Sequence, residues 1–428
     1  MGGIKTMNRI VNRRLFGTLG AVFLTAGSFA AAMAPANATS DAGKNSHSSN
    51  NVRDVCGTAK PGYARCFAQA RTDVHGGKGV RGPAAHAASG RDATLPEGFG
   101  PADLHSAYNL PMTGGADQTI AIVDAGDDPY VEADLAVYRA TYGLPACTTA
   151  NGCFHKVNQR GADAPLPPKV PHWGGEFALD VEMASAICPE CKILLVEADD
   201  NATNNLAASA DTAVALGATE VSASYGAQEN RYTHENAADY KHPGVAMVAA
   251  TGDNGFQPPS EPAVFDSVIA VGGTTLARDK TSDRGWYETA WWDAGSGCSA
   301  WFDKPAWQTD PNCTGRTVAD ISILADPWTG PAVYVTDPDD GYDGWTIIGG
   351  TSASAPMIAG VIALGGHPEK FDNASSFYTP QGQAGLNDVV GGTNSWNDRC
   401  GGDYLCWAVP GYDAVTGWGT PNGLSAFK

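Results

Sequence analysis

Short, uninterrupted apolar runs, separated by segments with helical spacing, constrain the fold of this chain more than any other feature. Runs such as 119–124 and 245–250 are too short for helices and lack the alternation of a half-exposed strand, which is typical of strands buried on both faces. The segment 129–142, by contrast, has its apolar residues at helical spacing. This alternation predicts an α/β fold with a central, mostly parallel sheet flanked by helices.

The same criteria predict further elements in the same alternating order. The additional strands are 192–196, 220–225 and 268–271, and the additional helices are 176–187 and 206–216. In open parallel sheets, binding and catalytic sites lie at the carboxyl ends of the strands. Three polar residues stand at such ends: Asp124, Tyr225 and Asp253.

Residues 1–38 have the pattern of a signal peptide. Basic residues come first, an apolar stretch of small residues follows, and an Ala-x-Ala sequence stands at 36–38. The pair Arg13 and Arg14 is compatible with twin-arginine export and with ordinary secretion, and both routes stay open. No later segment of the sequence is long and apolar enough to span a bilayer. We therefore expect a secreted, extracellular protein with no membrane partner after removal of the signal.

Charge and cysteine content agree with an exported protein. The formal net charge of -19 disfavours nucleic acid as a partner, and we expect a monomer. Ten cysteines at close spacings predict disulfides in an exported chain. The five local pairs are Cys56/Cys66, Cys147/Cys153, Cys188/Cys191, Cys298/Cys313 and Cys400/Cys406. The spacing of Cys188 and Cys191 also suits half of a zinc site, but no suitable second ligand pair stands out, and a disulfide is favoured.

Residues 39–97 separate the signal from the predicted catalytic domain, 98–428. The stretch 39–54 is rich in Ser, Asn and Asp without a hydrophobic period, which predicts disorder. Residues 74–95 are rich in Gly, Ala, Pro and His and predict a linker. Between them, Cys56 and Cys66 predict a small disulfide-closed loop. We therefore expect a short pro-region that is partly disordered.

The sharpest chemical signal is Gly-Thr-Ser-Ala-Ser-Ala-Pro at 350–356, which leads directly into an apolar helical segment. A serine at a helix start lies beside free backbone N–H groups that can bind an oxyanion. The alternative is a serine that merely caps a buried helix. That alternative would be preferred for an isolated Gly-Thr-Ser, but the full string favours Ser352 as a nucleophile.

A serine nucleophile needs a base, and Glu176 and Asp180 are the candidates. They are four residues apart and share one face of the predicted helix. Two close carboxylates repel when both are ionised, so the pair retains a proton and titrates as a unit. Such a pair can accept the proton of Ser352 at acidic pH and return it to a leaving amine. Without the Ser352 motif, solvated acids in a first helical turn would be the preferred interpretation.

The third candidate motif is Thr-Gly-Asp-Asn-Gly at 251–255, directly after a predicted strand. If protonated, Asp253 could donate a hydrogen bond to an oxyanion. An aspartate between glycines is also an ordinary turn residue. The motif therefore indicates a catalytic role only in combination with the Ser352 motif and the Glu176–Asp180 pair.

These three motifs, in this order, resemble those of the sedolisin family of serine-carboxyl peptidases over residues 98–428. The resemblance implies a subtilisin-like three-layer fold and hydrolysis of proteins or peptides in acid through an acyl-enzyme on Ser352. It implies that Glu176 is the general base and acid, that Asp180 orients Glu176, and that Asp253 serves the oxyanion hole. It leaves endopeptidase and tripeptidyl-peptidase action open.

The resemblance also implies one structural Ca²⁺ ion near the C-terminus. Asp388 and Asp413 would supply carboxylates, and Val389, Val409 and Gly411 would supply carbonyl oxygens, which are the ligands that calcium prefers. Without the resemblance, these acids would be interpreted as solvated loop residues.

Two other functions stay open at the level of sequence. A subtilisin-like peptidase would use Asp124, His172 and Ser352, although His172 lacks the His-Gly-Thr-His context of that family. A catalytically silent relative would serve as an extracellular binding protein. Sedolisins carry a large N-terminal prodomain, whereas this chain has only residues 39–97 in that place, so its activation mechanism stays open.

Overall fold

The structure is a computed structural model that describes residues 51–74, 95–395, 400 and 402–428. The predicted signal peptide, 1–38, and nearly all of the predicted linker lie outside the described residues. In the described part, no helix is long and apolar enough to cross a membrane.

The elements are numbered in chain order. The strands are β1 Val52–Asp54, β2 Arg65–Cys66, β3 Gln69–Arg71, β4 Thr119–Ala125, β5 Phe154–Asn158, β6 Lys192–Ala198, β7 Glu220–Ala223, β8 Tyr225–Gln228, β9 Ala246–Ala250, β10 Ser260–Glu261, β11 Ile269–Arg278, β12 Trp286–Ala290, β13 Gly297–Asp303, β14 Gly315–Val318, β15 Ile321–Leu324, β16 Ala332–Asp337, β17 Tyr342–Gly349, β18 Leu386–Asn387 and β19 Thr420–Pro421. The helices are α1 Pro101–Tyr108, α2 Val131–Tyr142, α3 Gly174–Ile187, α4 Thr203–Ala215, α5 Thr351–Gly365 and α6 Pro380–Gln383.

The central sheet has the strand order β12-β11-β9-β7-β4-β6-β5, with β15 also paired to β11. Its strand pairs are parallel except for the pair β11 and β12. Residues 120–123 of β4 are completely buried, as the uninterrupted apolar run requires. The prediction of an α/β fold with a mostly parallel sheet flanked by helices is confirmed.

Helices α3 and α5 pack against each other over the sheet, and every residue of both helices is buried. A glycine permits their close approach, because a Cβ on Gly360 would lie 2.9 Å from the Cβ of Ile187. This packing fixes the start of α5 beside the first turn of α3. The two helices that carry the Ser352 motif and the predicted carboxylate pair are therefore neighbours.

Most predicted elements are present within a few residues of their predicted bounds, but the strand predicted over 220–225 is interrupted. Strand β7 ends at Ala223, and Tyr225 begins β8, which leaves the central sheet and pairs antiparallel with β2 and β10. Ser224 lies at the break, where its carbonyl and hydroxyl both bind other parts of the chain. The interruption therefore exposes backbone groups at the carboxyl edge of the sheet.

The N-terminal residues 51–74 are folded onto the rest of the described chain. Strand β1 pairs with β3, and β3 pairs with β17. The predicted disorder of 39–54 is thus wrong for Val52–Asp54, because backbone pairing rather than a hydrophobic period orders them. Residues 51–74 belong to the same compact unit as the described residues from 95 onward. All five predicted disulfides are present.

Candidate active site

Ser352 lies in the first turn of α5, two residues after a glycine with a positive φ. Gly350 has a φ of 98°, and any side chain there would collide with the carbonyl oxygen of Phe67 and with Oδ2 of Asp253. Only glycine therefore permits this approach of two oxygen atoms to the helix start. The glycine of the predicted motif opens the space beside Ser352.

The backbone of Ser352 is held by an unusual feature of its own helix. Pro356 has no N–H group to donate to the carbonyl of Ser352. The hydroxyl of Ser224 donates to that carbonyl instead, at 3.2 Å. The hydroxyl of Ser352 in turn donates to the carbonyl of Ser224 at 2.8 Å. Ser224, which was not singled out from the sequence, therefore positions the candidate nucleophile.

Glu176 and Asp180 lie on α3 with their side chains completely buried. Within the described residues, none of their four carboxyl oxygens has a hydrogen-bond partner. Burial raises the pKa of Glu176 well above its usual value, the charge of Asp124 raises it further, and the hydroxyl of Ser352 partly offsets this. Burial and the charges of Asp124 and Glu176 likewise raise the pKa of Asp180. The pair is therefore suited to carry protons.

Asp124 adds a third carboxyl group to this pair. It lies near the end of β4, is completely buried, and neither of its oxygens has a partner within the described chain. Burial, with a contribution from the charge of Asp128, raises the pKa of Asp124 to about 8. The sequence marked Asp124 as a residue at the carboxyl end of a strand and as a member of a subtilisin-like triad, but not as a neighbour of Glu176 and Asp180. In the structure it acts electrostatically on both Glu176 and Asp180.

Asp253 is fixed by Thr351, the residue before Ser352. The backbone N–H and the hydroxyl of Thr351 both donate to Oδ1 of Asp253, each at 2.8 Å. Its other oxygen, Oδ2, is buried without a partner in the described part and faces the space above Gly350. Burial raises the pKa of Asp253 well above its usual value, although the bonds from Thr351 oppose this. A proton on Oδ2 would place a donor beside the N–H of Ser352.

His172 does not take part in this arrangement. Its side chain is 59% exposed, and its Nδ1 lies 2.5 Å from a carboxyl oxygen of Asp340. The partners of the Ser352 side chain are the carbonyl of Ser224 and the N–H of Phe67, and neither is a histidine. The hypothesis of a triad with Asp124 and His172 is therefore wrong, because the exposed imidazole is hydrogen-bonded to Asp340 and not to Ser352.

Four of the five predicted calcium ligands are connected through the loop 409–413. The N–H of Gly411 donates to Asp388 at 2.9 Å, and the N–H of Val409 donates to Asp413 at 3.1 Å. Two carboxylates from separate parts of the chain thus meet one loop, which also carries the carbonyls of Val409 and Gly411. No cluster of three or more His, Cys, Asp or Glu side chains with metal-binding geometry occurs in the described residues. The carboxylate and carbonyl oxygens of these residues are nevertheless the types of ligand that calcium prefers.

Comparison with known proteins finds one matching family model and several similar proteins. The family model Peptidase_S8, Subtilase family, matches residues 172–376. Kumamolisin of Bacillus sp. (strain MN-32) is 30% identical over 371 residues, which cover 78% of this chain and 63% of that protein. Sedolisin of Pseudomonas sp. (strain 101) is 34% identical over 181 residues, covering 38% of this chain and 28% of that protein. Tripeptidyl-peptidase 1 of Bos taurus is 30% identical over 218 residues, covering 42% and 36%.

One solved structure is similar to this chain in both fold and sequence. The chain is similar to Pseudomonas sedolisin, described as a serine-carboxyl proteinase complexed with two molecules of pseudo-iodotyrostatin, with a TM-score of 0.62 and 25% identity. The similarity covers 76% of this chain and 95% of that one. The chain spans less than two thirds of the length of the curated relatives described above.

Proposed function

Because this chain belongs to the sedolisin family and has its subtilisin-like fold, we propose that it is a secreted, acid-acting serine-carboxyl peptidase. The observation that carries the proposal is the environment of Ser352. Its N–H and Oδ2 of Asp253 lie beside the same carbonyl oxygen, that of Phe67. The buried carboxyls of Glu176 and Asp180 supply the proton carriers that a histidine would otherwise provide.

In the proposed reaction, Oγ of Ser352 attacks the carbonyl carbon of a peptide bond and Glu176 accepts the hydroxyl proton. For this step, the hydroxyl turns from the carbonyl of Ser224 towards Glu176. The oxyanion that forms accepts hydrogen bonds from the N–H of Ser352 and from protonated Asp253. Glu176 then gives its proton to the leaving amine as the C–N bond breaks, which leaves an ester on Ser352.

Hydrolysis of that ester repeats the same proton transfers with water. Glu176 accepts a proton from the water that attacks the ester carbonyl, and it returns the proton to Oγ of Ser352 as the ester bond breaks. Asp180 and Asp124 share the protons of the buried cluster with Glu176. Their role is to position Glu176 and to set the pH range in which it can accept a proton.

An acidic optimum is expected from the requirement for a protonated Asp253. Asp253 can donate to an oxyanion only when it is protonated, and burial favours that form. As the pH rises through the raised pKa values of the cluster, the donor is lost and like charges accumulate around Ser352. Activity should therefore be highest in acid and should fall towards alkaline pH.

Calcium binding and secretion complete the proposal. We assign a structural Ca²⁺ ion to Asp388, Asp413 and the carbonyls of Val389, Val409 and Gly411. The ion would cross-link two loop segments and takes no part in the reaction. Export is supported by the pattern of residues 1–38 and by five disulfides, which form and persist in oxidising compartments.

The test is hydrolysis of acid-denatured globin between about pH 3 and pH 9. Ser352→Ala should lower the rate by at least about 10³-fold. Ser354→Ala is the matched control, because Ser354 is also buried in α5 but its hydroxyl binds the carbonyls of Ile323 and Leu324. Equal losses in both variants, or an optimum above neutral pH, would contradict the mechanism.

A further inference from the structure

The first turn of α3, which carries Glu176, packs against a buried carboxyl group from another part of the chain. Asp337 ends β16 and is only 1% exposed. A Cβ on Gly174, the first residue of α3, would collide with Oδ2 of Asp337. Within the described residues, that oxygen has no hydrogen-bond partner. Because a negative charge is favourable at a helix start, Asp337 helps to fix the turn that carries Glu176.

Lys169 connects Asp337 to the surface of the protein. Its ammonium nitrogen lies 2.6 Å from Oδ1 of Asp337 and 2.9 Å from a carboxyl oxygen of Asp339, whose side chain is 81% exposed. Partial burial alone would lower the pKa of Lys169, but the hydrogen bonds and charges of the two aspartates outweigh burial and raise it. Lys169 therefore stays positively charged throughout the acidic and neutral pH range.

Asp128 is the next carboxyl group inward from Asp337. It lies in the turn after β4 and is 4% exposed. Burial raises the pKa of Asp128 to about 7, although the N–H of Tyr130 donates to its carboxyl and opposes this. The charges of Asp134 and Asp337 raise the pKa of Asp128 further. The protonation of Asp128 therefore depends on whether the charge of Asp337 is compensated.

Asp128 in turn acts on the carboxyl groups beside the nucleophile. Burial and the charge of Asp128 raise the pKa of Asp124, and burial and the charge of Asp124 raise the pKa of both acids of the α3 pair. Charges interact more strongly in a buried environment than in water, because the effective dielectric constant is lower. A row of electrostatically connected carboxyl groups thus extends from α3 to Asp337, and Lys169 is the cation at its outer end.

Other charged or titratable groups lie near the Lys169–Asp337 pair. They are Asp128 after β4, Asp339 and Asp340 after β16, Tyr342 of β17, Arg53 of β1 and His172 before α3. The two further cations bind elsewhere, since Arg53 donates to the carbonyl of Asp340 and His172 contacts the carboxyl group of Asp340. Among the described residues, only Lys169 forms an ion pair with Asp337.

We propose that Lys169 is a positioning residue for the proposed reaction, because its compensation of Asp337 sets the proton content of the carboxyl row and so the pH range in which Glu176 can act as a base. This inference rests on the proposed function, since it names a regulation of that same site. Without Lys169, the uncompensated charge of Asp337 would make the row release its protons only at higher pH. Without Asp337, the remaining charge of Lys169 would have the opposite effect.

The test compares removal of one charge with removal of the other. Globin hydrolysis is measured against pH, and the acidic limb of the profile reports the ionisation of the base. Lys169→Met should move this limb to higher pH by about half a pH unit or more, and Asp337→Asn should move it to lower pH by a similar amount. The double variant should return close to the parent. Arg160→Met is the matched control, because Arg160 lies in the same segment before α3 but its side chain is 65% exposed and pairs with Asp199.

A merely structural role would lower the rate of each variant without moving the limb. Shifts of both single variants in the same direction, unmoved limbs, or a double variant displaced further than either single variant would overturn the inference. If Asp337→Asn fails to fold, as judged by circular dichroism, Lys169→Arg takes its place in the comparison. Lys169→Arg keeps the charge and should keep the parent limb, and a limb equal to that of Lys169→Met would also overturn the inference.

A second measurement is independent of turnover. In the Ser352→Ala protein, the infrared absorption of protonated carboxyl groups is titrated with pH, and Lys169→Met and Asp337→Asn should again shift the titration in opposite directions. Opposite infrared shifts without hydrolysis by the protein that retains Ser352 would contradict the peptidase and leave the role of Lys169. Hydrolysis with unshifted titrations would do the reverse.

Discussion

Two hydrogen bonds of 2.8 Å from Thr351 to one oxygen of Asp253 leave the other oxygen of that carboxyl without a partner among the described residues and turned towards the substrate position. Thr351 also accepts a hydrogen bond of 3.0 Å from the N–H of Gly252. The residue before the nucleophile and the residue before the oxyanion acid are thus joined. Positioning of the proposed oxyanion donor therefore depends on the same short string that carries Ser352.

Removal of the Asp253 carboxyl should impair transition-state stabilisation. We expect Asp253→Ala to lower kcat by about 10²–10³-fold at the acidic optimum with little change in KM. Asp253→Asn should retain more activity, because the amide can donate at any pH while its oxygen still accepts from Thr351. The pH profile of Asp253→Asn should extend further towards neutral pH than that of the parent. Identical profiles for the two proteins would remove Asp253 from the oxyanion site.

The general base should be separable from its buried neighbours on the same helix. Glu176→Gln should lower kcat by about 10²–10⁴-fold, the range typical of general acid–base catalysis. Glu182→Gln is the matched control, because Glu182 is equally buried in α3 but accepts a hydrogen bond from the N–H of Tyr334. The measurements are kcat of both variants on one peptide substrate by steady-state kinetics and the melting temperature of each variant. A similar loss of kcat in both variants would indicate damage to α3 rather than loss of a base.

Stability should decrease as pH rises, because Asp124 is more easily protonated in the folded state than in the unfolded state. Its pKa is raised from its usual 3.8 to about 8 by burial and by Asp128. The stabilisation is fully present below about pH 3.8 and is lost progressively as the pH approaches 8, since the folded state binds more protons in this window. Each pKa unit corresponds to about 1.4 kcal/mol of unfolding free energy.

Asp124→Asn should therefore reduce this dependence. Relative to the parent, the melting temperature should rise at pH 8 and change little at pH 4, as measured by differential scanning calorimetry. Asp343→Asn, which changes an exposed acid, should leave both values unaltered. A lower melting temperature of Asp124→Asn at pH 8 would show that the buried charge is compensated in the folded protein.

Calcium should stabilise the folded chain through the loops that contain Asp388 and Asp413. Saturation at about one hundred times the Kd corresponds to about 2.7 kcal/mol of unfolding free energy. Removal of calcium with a chelator should lower the melting temperature of the parent and of Asp283→Ala, which changes an exposed acid elsewhere. Asp388→Ala should no longer respond to added calcium. An equal calcium response in Asp388→Ala would exclude this residue as a ligand.

The sequence predicted the parts of the molecule that depend on local patterns. Buried runs such as 119–124 specify strands because both faces of the sheet are covered, and the spacing of Glu176 and Asp180 places them on one helix face. The position of Asp124 beside that pair could not be read from the chain, because it depends on the pairing of β4 with its neighbours.

The packing of residues 51–74 onto the rest of the described chain was missed for a related reason. Strand β2 has two residues and pairs with a strand some 160 positions later, so neither length nor periodicity indicates it. The disulfide Cys56–Cys66 was predicted, but spacing alone does not say what the closed loop contacts. Ser224 was hidden inside a predicted strand, because an interruption of one residue at a sheet edge leaves the apolar pattern intact.

The proline in α5 has a mechanical consequence for the nucleophile. Because Pro356 cannot donate the usual helical hydrogen bond, the carbonyl of Ser352 is bound by the hydroxyl of Ser224 and not by a backbone N–H of its own helix. Ser224 directly precedes β8, the strand with which β2 is paired. Any segment that shifts β8 when it pairs with this strand will therefore also shift the backbone of Ser352. Pairing at β8 and the alignment of the nucleophile are thus mechanically coupled.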